Sequence, residues 1–599
     1  MAKKNKQKND FSIKDIIALF TVIFTGWYFT YFSLPVLNYG FVGWPFILIL
    51  MGVVYILFDF KSNEYGGSEF KKTYRTSISL GLMSIGLIFF IILPIGTMPV
   101  FRAHDYQKLL DGVEEKTLSI DMSPTSPDDI IIIDHKTAAK LADKKLVDEN
   151  MSLGSQVEIG EFTLQQVNNK LYYVAPLNHS GFWKWRRNKE GTTGYMIVNA
   201  NNDKDVRLIT NINGEDVKLK YQEGAYVGDY LQRHIYKNGY KTKAFTDISF
   251  ELDDNMMPWY VVTLYDKKVG YLGRDAIGTI IVNPKNGDIK EYSIEDTPEW
   301  VDRIQPSLFI ISQVNDWGRY IHGAWNWSGR DKRQLSDGVQ IVYGEDGKCY
   351  YYSSITSVGR DNASLGFVMV DTRTKKTRLY RTSGAIESAA QRSAEQRMPE
   401  KNYIASFPRP YNINGVWTYV MALKDQEGLI KSIALVSYEK YQIVGVGDNI
   451  QDAIRNYRSV LNSNGNVISP SSDTKNINLT GTIDRIGVDI RSSDSYYYFV
   501  IKEYPNKIFV SSSTISNKII VTKVGDKVNI SFPESGDGEI FIEDFENLNL
   551  NFEKSDTQLN IEKKYQEVDD RIKTEQIDVR IKSKIENMTN EEKLKILDK

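Results

Sequence analysis

The chain has 599 residues and a formal net charge of −2 at pH 7, with 42% hydrophobic and 12% aromatic residues. That balance argues against a nucleic-acid surface, which normally needs a strong basic excess. The single cysteine, Cys349, excludes an intramolecular disulfide framework.

The first hundred residues contain three apolar stretches, near 16–37, 41–60 and 77–100, in an expected anchor over residues 1–102. A helix needs about 20 apolar residues to cross the hydrocarbon core, and each stretch has that length. Trp27, Tyr28, Tyr31, Trp44 and Tyr55 lie near the ends, as interfacial aromatics do. Lys3, Lys4, Lys6, Lys8 and Lys14 precede the first stretch, and Lys61, Lys71, Lys72 and Arg75 separate the second from the third. The turn around Asn38 and Tyr39 has no basic residue. The positive-inside rule then puts the amino terminus in the cytoplasm and everything after Arg102 outside. An exterior region without disulfides suits a bacterial cell envelope. The alternatives are a cleaved signal peptide, whose apolar core would be shorter, and two deep spans plus an interfacial hairpin, which would turn the large region inward.

Three later segments read alike: GYMIVNANNDKDVRLI from Gly194, GTIIVNPKNGDIKEYS from Gly278 and GFVMVDTRTKKTRLYR from Gly366. Each runs glycine, apolar strand, Asn or Asp, polar turn, alternating strand. The intervals are 84 and 88 residues, and a near-constant period marks repeated structural units. Asn286-Gly287 is a strong hairpin-turn signal because both residues tolerate positive φ. An aromatic-rich strand precedes each segment: KLYYVAPL, PWYVVTLY and KCYYYSSI. Helical patterns fill the gaps, from His135, from Tyr226, from Pro298 through Trp325, and from Gly384. A looser fourth strand pair follows, VWTYVMALKD and IKSIALVSYEKYQIVGVG. Helices alternating with antiparallel hairpins predict an α+β fold. The expected repeats occupy 103–215, 216–300, 301–383 and 384–465.

The helix TAAKLA and the strand–turn–strand GTIIVNPKNGDIKEYS make this region, roughly Asp128 to Leu461, resemble the PepSY-type domain, a small bacterial envelope module with a helix packed on an antiparallel sheet. The resemblance implies an interaction role in the envelope, or protease inhibition, and supplies no catalytic residue. After an expected linker at 466–477, short alternating strands over 478–550 predict a small β-barrel. Its VGDKVNISF segment resembles barrels of the oligonucleotide- and oligosaccharide-binding (OB) type. Residues 551–599 read as a charged helical tail, with Ile561, Tyr565, Val568 and Ile572 at helical spacing.

Two clusters are candidate binding surfaces. Trp183, Lys184, Trp185, Arg186 and Arg187 interleave aromatics with cations and suit an anionic polymer or the lipid headgroup region. Trp317, Arg319, His322, Trp325 and Trp327 suit a sugar or peptide chain. Both also read as packing: Trp317, Tyr320, Ile321 and Ala324 at helical spacing make an ordinary buried stripe. The histidines, His104, His135, His179, His234 and His322, form no HExxH pair. Cys349 sits in a strand, where a small thiol packs. No cofactor or metal is expected. The chain thus reads as a non-enzymatic membrane protein whose exterior repeats bind a protein partner or an envelope polymer. The alternative is an envelope-acting hydrolase whose active site no motif reveals.

Overall fold

The computed structural model describes residues 13–550 apart from 63–67, 71–73, 111, 117–124, 126, 150–154, 345, 359–362, 414, 464–475, 492–493, 513–514, 534–538 and 543. Most of the expected linker, the whole charged tail, and Lys3, Lys4, Lys6, Lys8, Lys71 and Lys72 lie outside the described residues. The fold is mixed α+β, and the chain divides into two units, Met1–Ser469 and Pro470–Lys599.

Helices α1 (Ile13–Ser33), α2 (Gly43–Leu57) and α3 (Tyr74–Ile95) open the first unit. At 1.5 Å per residue α1 and α3 extend ~31 and ~33 Å, enough to cross a bilayer, and α2 only ~22 Å. Two helices are therefore long and apolar enough to span. The expected stretch 41–60 is shortened because the chain leaves the helix at Phe58 and turns Asp59 inward. α2 and α3 touch backbone to backbone. A Cβ on Gly52 would lie 2.9 Å from the Ser79 carbonyl, and one on Gly86 2.8 Å from the Pro45 carbonyl. Small residues at such crossings are how apolar helices associate without a hydrophobic drive.

The bundle has two distinct ends. At one, Arg75 donates to Asp15 (2.5 Å) and to Asp59 (2.8 Å), and Thr76 donates to Asp59 (2.5 Å). This triad joins the start of α1, the exit of α2 and the start of α3. Arg75, counted in the sequence among the loop cations, is buried in it. At the other end, the α1–α2 turn and the exit of α3 both bond to the region that follows. The Leu37 amide donates to the Lys241 carbonyl (2.8 Å), Tyr236 to the Pro35 carbonyl (2.9 Å) and Tyr271 to the Tyr39 carbonyl (2.9 Å). Tyr106, on α4 (Pro99–Gln107), donates to the Thr97 carbonyl (2.7 Å).

Four antiparallel sheets follow, in two facing pairs. The first sheet holds strands 157–159, 163–167, 170–179, 195–199 and 206–209, and the second 244–252, 258–269, 272–282 and 289–292. Val174, Tyr195 and Ile197 of the first meet Phe250, Val262 and Ile280 of the second in one core, closed by Leu231 and Ile235. The third sheet (333–335, 340–343, 349–357, 366–371, 377–380, with 114–116 added in parallel) faces the fourth (404–405, 409–413, 416–424, 430–437, 444–447) in the same way. There Tyr352, Phe367 and Met369 meet Tyr419, Met421 and Val436.

Helix α5 (His135–Glu149) covers the outer face of the first sheet through Ala138, Ala142 and Leu146. α6 (Phe182–Arg187) and α7 (Leu231–Lys237) belong to the first pair. α8 (Ser307–Arg319) covers the third sheet, α9 (Glu387–Glu395) enters the second shared core, and α10 (Ile450–Ser463) covers the fourth sheet. The helical readings were too long in two places. The pattern from Tyr226 becomes helix only at Leu231, because Val227 sits at φ 54°. The pattern through Trp325 stops at Arg319, so Tyr320, Ile321 and Ala324 are not a helical stripe, and 298–304 is not helix.

The repeated residues share one geometry. The amides of Asn199, Asn283, Asp371 and Ser437 each close a turn on the carbonyl of Asp205, Asp288, Lys376 or Ile443 (2.9–3.1 Å). Their side-chain oxygens each accept from an amide two or three residues on: Asn201, Lys285 and Arg373 (2.9 Å each) and Lys440 (3.2 Å). This is why Asn, Asp or Ser ends the strand. The preceding glycines are sterically required. A Cβ on Gly194, Gly278 or Gly366 would lie 2.6, 2.4 or 2.1 Å from the carbonyl oxygen of Ile209, Tyr292 or Tyr380.

The second unit has the strand order 539–541, 504–512, 494–501, 476–491, 527–533, 544–547. The long strand Asn476–Arg491 pairs along its first half with 527–533 and along its second with 494–501, with a register shift at Ile483/Arg485. The consecutive strands 539–541 and 544–547 pair with opposite sides of the sheet, the first in parallel with 504–512 and the second antiparallel with 527–533. Phe499, Phe509, Val528, Ile530, Ile540 and Phe545 fill the interior.

Candidate binding cleft

Three elements enclose a cleft of about 780 Å³. α4 supplies Arg102 and Asp105, and the residues just after it supply Lys108 and Glu114. The tip of the long hairpin 258–282 supplies Lys268 and Asp275. The third repeat turn supplies Lys375, Lys376 and Arg378. Each position has a local cause. Tyr106 and Leu109 pack on Val269 and fix α4 against the hairpin tip. The Asp371 cap turns the chain so that Lys375, at φ 65°, reaches Asp275 (2.6 Å). Arg102 is paired with Asp105.

Six cations and three carboxylates line the cleft, an excess of three positive charges. Two of the carboxylates are occupied by Arg102 and Lys375. Lys108, Lys268 and Lys376 are exposed, and none has an ion-pair partner among the described residues. Concave walls of low polarisability strengthen such a field relative to an open surface. The arrangement can hold several anionic groups spaced along a chain. Arg378 also lines a smaller pocket of about 230 Å³, walled by Tyr343, Tyr350, Tyr352, Tyr411 and Trp417.

The residues singled out in the sequence lie elsewhere. Trp185 is buried and donates to Asp229 (3.0 Å), so it is packing. Trp183 is exposed, Lys184 is half-buried, and Arg186 and Arg187 are exposed. Trp317 is half-buried against the third sheet's core with Arg333 over its ring. Arg319 is exposed at the end of α8. His322 meets Asp331 (2.9 Å), and Trp325 and Trp327 stack on each other in the open (6.0 Å, 12°). None of them lines the cleft. The one signal for the cleft was the cationic turn TRTKKTR, read only as a polar hairpin loop.

The joint between the pairs holds a second set of charges. The half-buried Arg303 lies near the buried Glu251, the exposed Asp247 and Tyr351. Burial pushes the Glu251 carboxyl up to about 7 against the pull of Arg303. Burial also pushes the Cys349 thiol up to about 12, which leaves it inert.

No family model matches the chain, and no curated protein matches it. Among solved structures, a mutant levansucrase of B. megaterium aligns at 10% identity with a TM-score of 0.16, covering 70% of this chain and 96% of that one. At that score the likeness carries no argument about fold or activity.

Proposed function

We propose that the chain is a non-enzymatic integral membrane protein that holds its large region outside the cytoplasm and binds an anionic envelope polymer in the cationic cleft. The excess of three positive charges lining the cleft carries the binding reading. Three crossings are supported by the two ends of the bundle. Asp59, past α2, reaches the level of Asp15 and Arg75, and the other end of each helix lies near the region that follows. α2 with its flanks therefore traverses the same thickness as α1. The lysines before α1 orient the triad end inward. Four sheets, each after a helix, favour the PepSY-type resemblance. The strand path of the second unit, returning on itself through 539–547, favours an OB-like barrel.

The test is binding of poly(glycerol phosphate) to the full chain in detergent. Binding that weakens with added salt and is lost in the Lys268→Glu/Lys376→Glu double variant is expected. Binding indifferent to both, or preference for poly-L-glutamate, would sink the polymer reading; the second outcome would point to an acidic protein segment.

A further inference from the structure

Arg233 is buried beside the end of α1. Its guanidinium donates to the Tyr31 carbonyl (3.4 Å), lies over the Tyr31 ring (4.2 Å) and donates to the Val227 carbonyl (2.9 Å). One side chain thus fixes the turn at 226–229 to the last turn of an apolar helix. The turn is strained. Val227 holds φ 54°, a conformation β-branched residues avoid. What the strain achieves is outward display: Val227 is 52% exposed and Tyr226 39%.

α6 is locked to the same turn. Phe182 packs edge-on to Tyr226 (5.4 Å), and Trp185 donates to Asp229 (3.0 Å). With Trp185 and Asp229 as the fixed point, α6 presents Phe182 and the 70% exposed Trp183 to solvent, flanked by Arg186 and Arg187. On α1, Phe32, Tyr28 and Trp27 are exposed as well. Aromatic anchors next to cations at the end of a membrane span are the composition of an interfacial contact.

We propose that α6 and the Tyr226–Val227 turn rest in the headgroup layer of the leaflet reached by the end of α1, with Arg186 and Arg187 on anionic lipid. This contact rests on the membrane-anchor reading. It fixes the tilt of the first sheet pair against the bilayer, so the exterior region is held at two points rather than on a flexible stalk.

The test places a polarity-sensitive fluorophore on Trp183→Cys, Tyr28→Cys or Lys401→Cys in the full chain. Each labelled protein is reconstituted into phosphatidylcholine vesicles with or without phosphatidylglycerol, and the lipid carries a headgroup-level nitroxide quencher. The native thiol at Cys349 is buried and unreactive. The expected result is a blue shift and loss of emission at 28 and 183 and none at 401. The loss at 183 should be larger with phosphatidylglycerol and should disappear in Arg186→Glu/Arg187→Glu without change at 28. Quenching at 28 but not at 183 would overturn the lipid contact and leave the anchor standing. Absence of quenching at both would overturn the anchor as well.

Discussion

The two sheet pairs are built from the same hairpin, yet they are finished differently. The outer face of the fourth sheet is covered by α10, which lies so close that a Cβ on Gly445 would fall 2.3 Å from the Tyr457 amide nitrogen. The corresponding face of the second sheet is covered by the non-helical segment 293–304, with Val301 and Ile304 against Val261 and Ile281. The reason lies in the neighbouring pair. Arg373, in the third repeat turn, donates to the carbonyls of Thr297 (2.6 Å), Pro298 (2.8 Å) and Val301, and the amides of Ile304 and Gln305 donate to the Thr372 carbonyl (3.0 and 2.8 Å). A helix would have consumed the Thr297 and Pro298 carbonyls and the Ile304 amide internally. The outer face of the fourth sheet is capped by a helix; that of the second is covered by coil whose backbone groups bond to the next pair.

The largest expected effect breaks that joint. Arg373→Ala leaves three carbonyls without their donor and should destabilise the first unit by on the order of 3–5 kcal/mol, since hydrogen bonds to a charged group are the strong ones. Calorimetry should show the midpoint of the first unit lowered accordingly. A single transition with an unchanged midpoint would remove the joint from this picture.

Next comes the buried charge in the joint. Glu251 is buried, accepts from Ser249 (2.6 Å) and lies near the half-buried Arg303 and Asp302. The folded state keeps a proton that the unfolded state gives up between the ordinary 4.5 and about 7. Its contribution therefore weakens as the pH rises through that window and is flat above it. In Glu251→Gln this loss is absent. The variant should gain on the parent from pH 4.5 to 7 by up to about 3 kcal/mol, read as diverging midpoints in denaturant titrations. Parallel pH profiles would contradict the buried assignment.

The smallest effect separates the two cores. Tyr419 shares its hydroxyl with Tyr352 (3.1 Å) and Ser354 (3.0 Å) and donates to the Ala385 carbonyl (3.1 Å), in a network that includes the buried Glu387. Tyr260, in the first pair, is equally buried, and its hydroxyl has no hydrogen-bond partner among the described residues. Tyr419→Phe should cost about 1–2 kcal/mol, whereas Tyr260→Phe should be neutral or mildly stabilising. Equal costs would mean that the cores do not differ in the way described.

These contrasts mark what the sequence makes legible. The hairpins can be read because Asn199, Asn283 and Asp371 answer to a cap two residues on, and Gly194, Gly278 and Gly366 to contact with the returning strand of their own hairpin. The apolar helices can be read because their partners are absent along the exposed face. The ends of α7 and α8 cannot, since Val227 is held at positive φ by a residue in the next helix and the chain after Arg319 turns on Gly323. Trp185 and Trp317 resemble binding aromatics until burial is known. The cleft is hidden for the same reason the joint is. Lys108, Lys268 and Lys376 come from elements more than a hundred residues apart, and no local spacing brings them together.

Orientation decides whether any of this faces an envelope polymer. Intact cells carrying Lys376→Cys, or Lys61→Cys between the second and third apolar segments, would be treated with a membrane-impermeant maleimide before and after permeabilisation. The thiol introduced at position 376, in the cleft, should label on intact cells, and the one at position 61 only after permeabilisation; the reverse pattern would contradict an exterior platform outright.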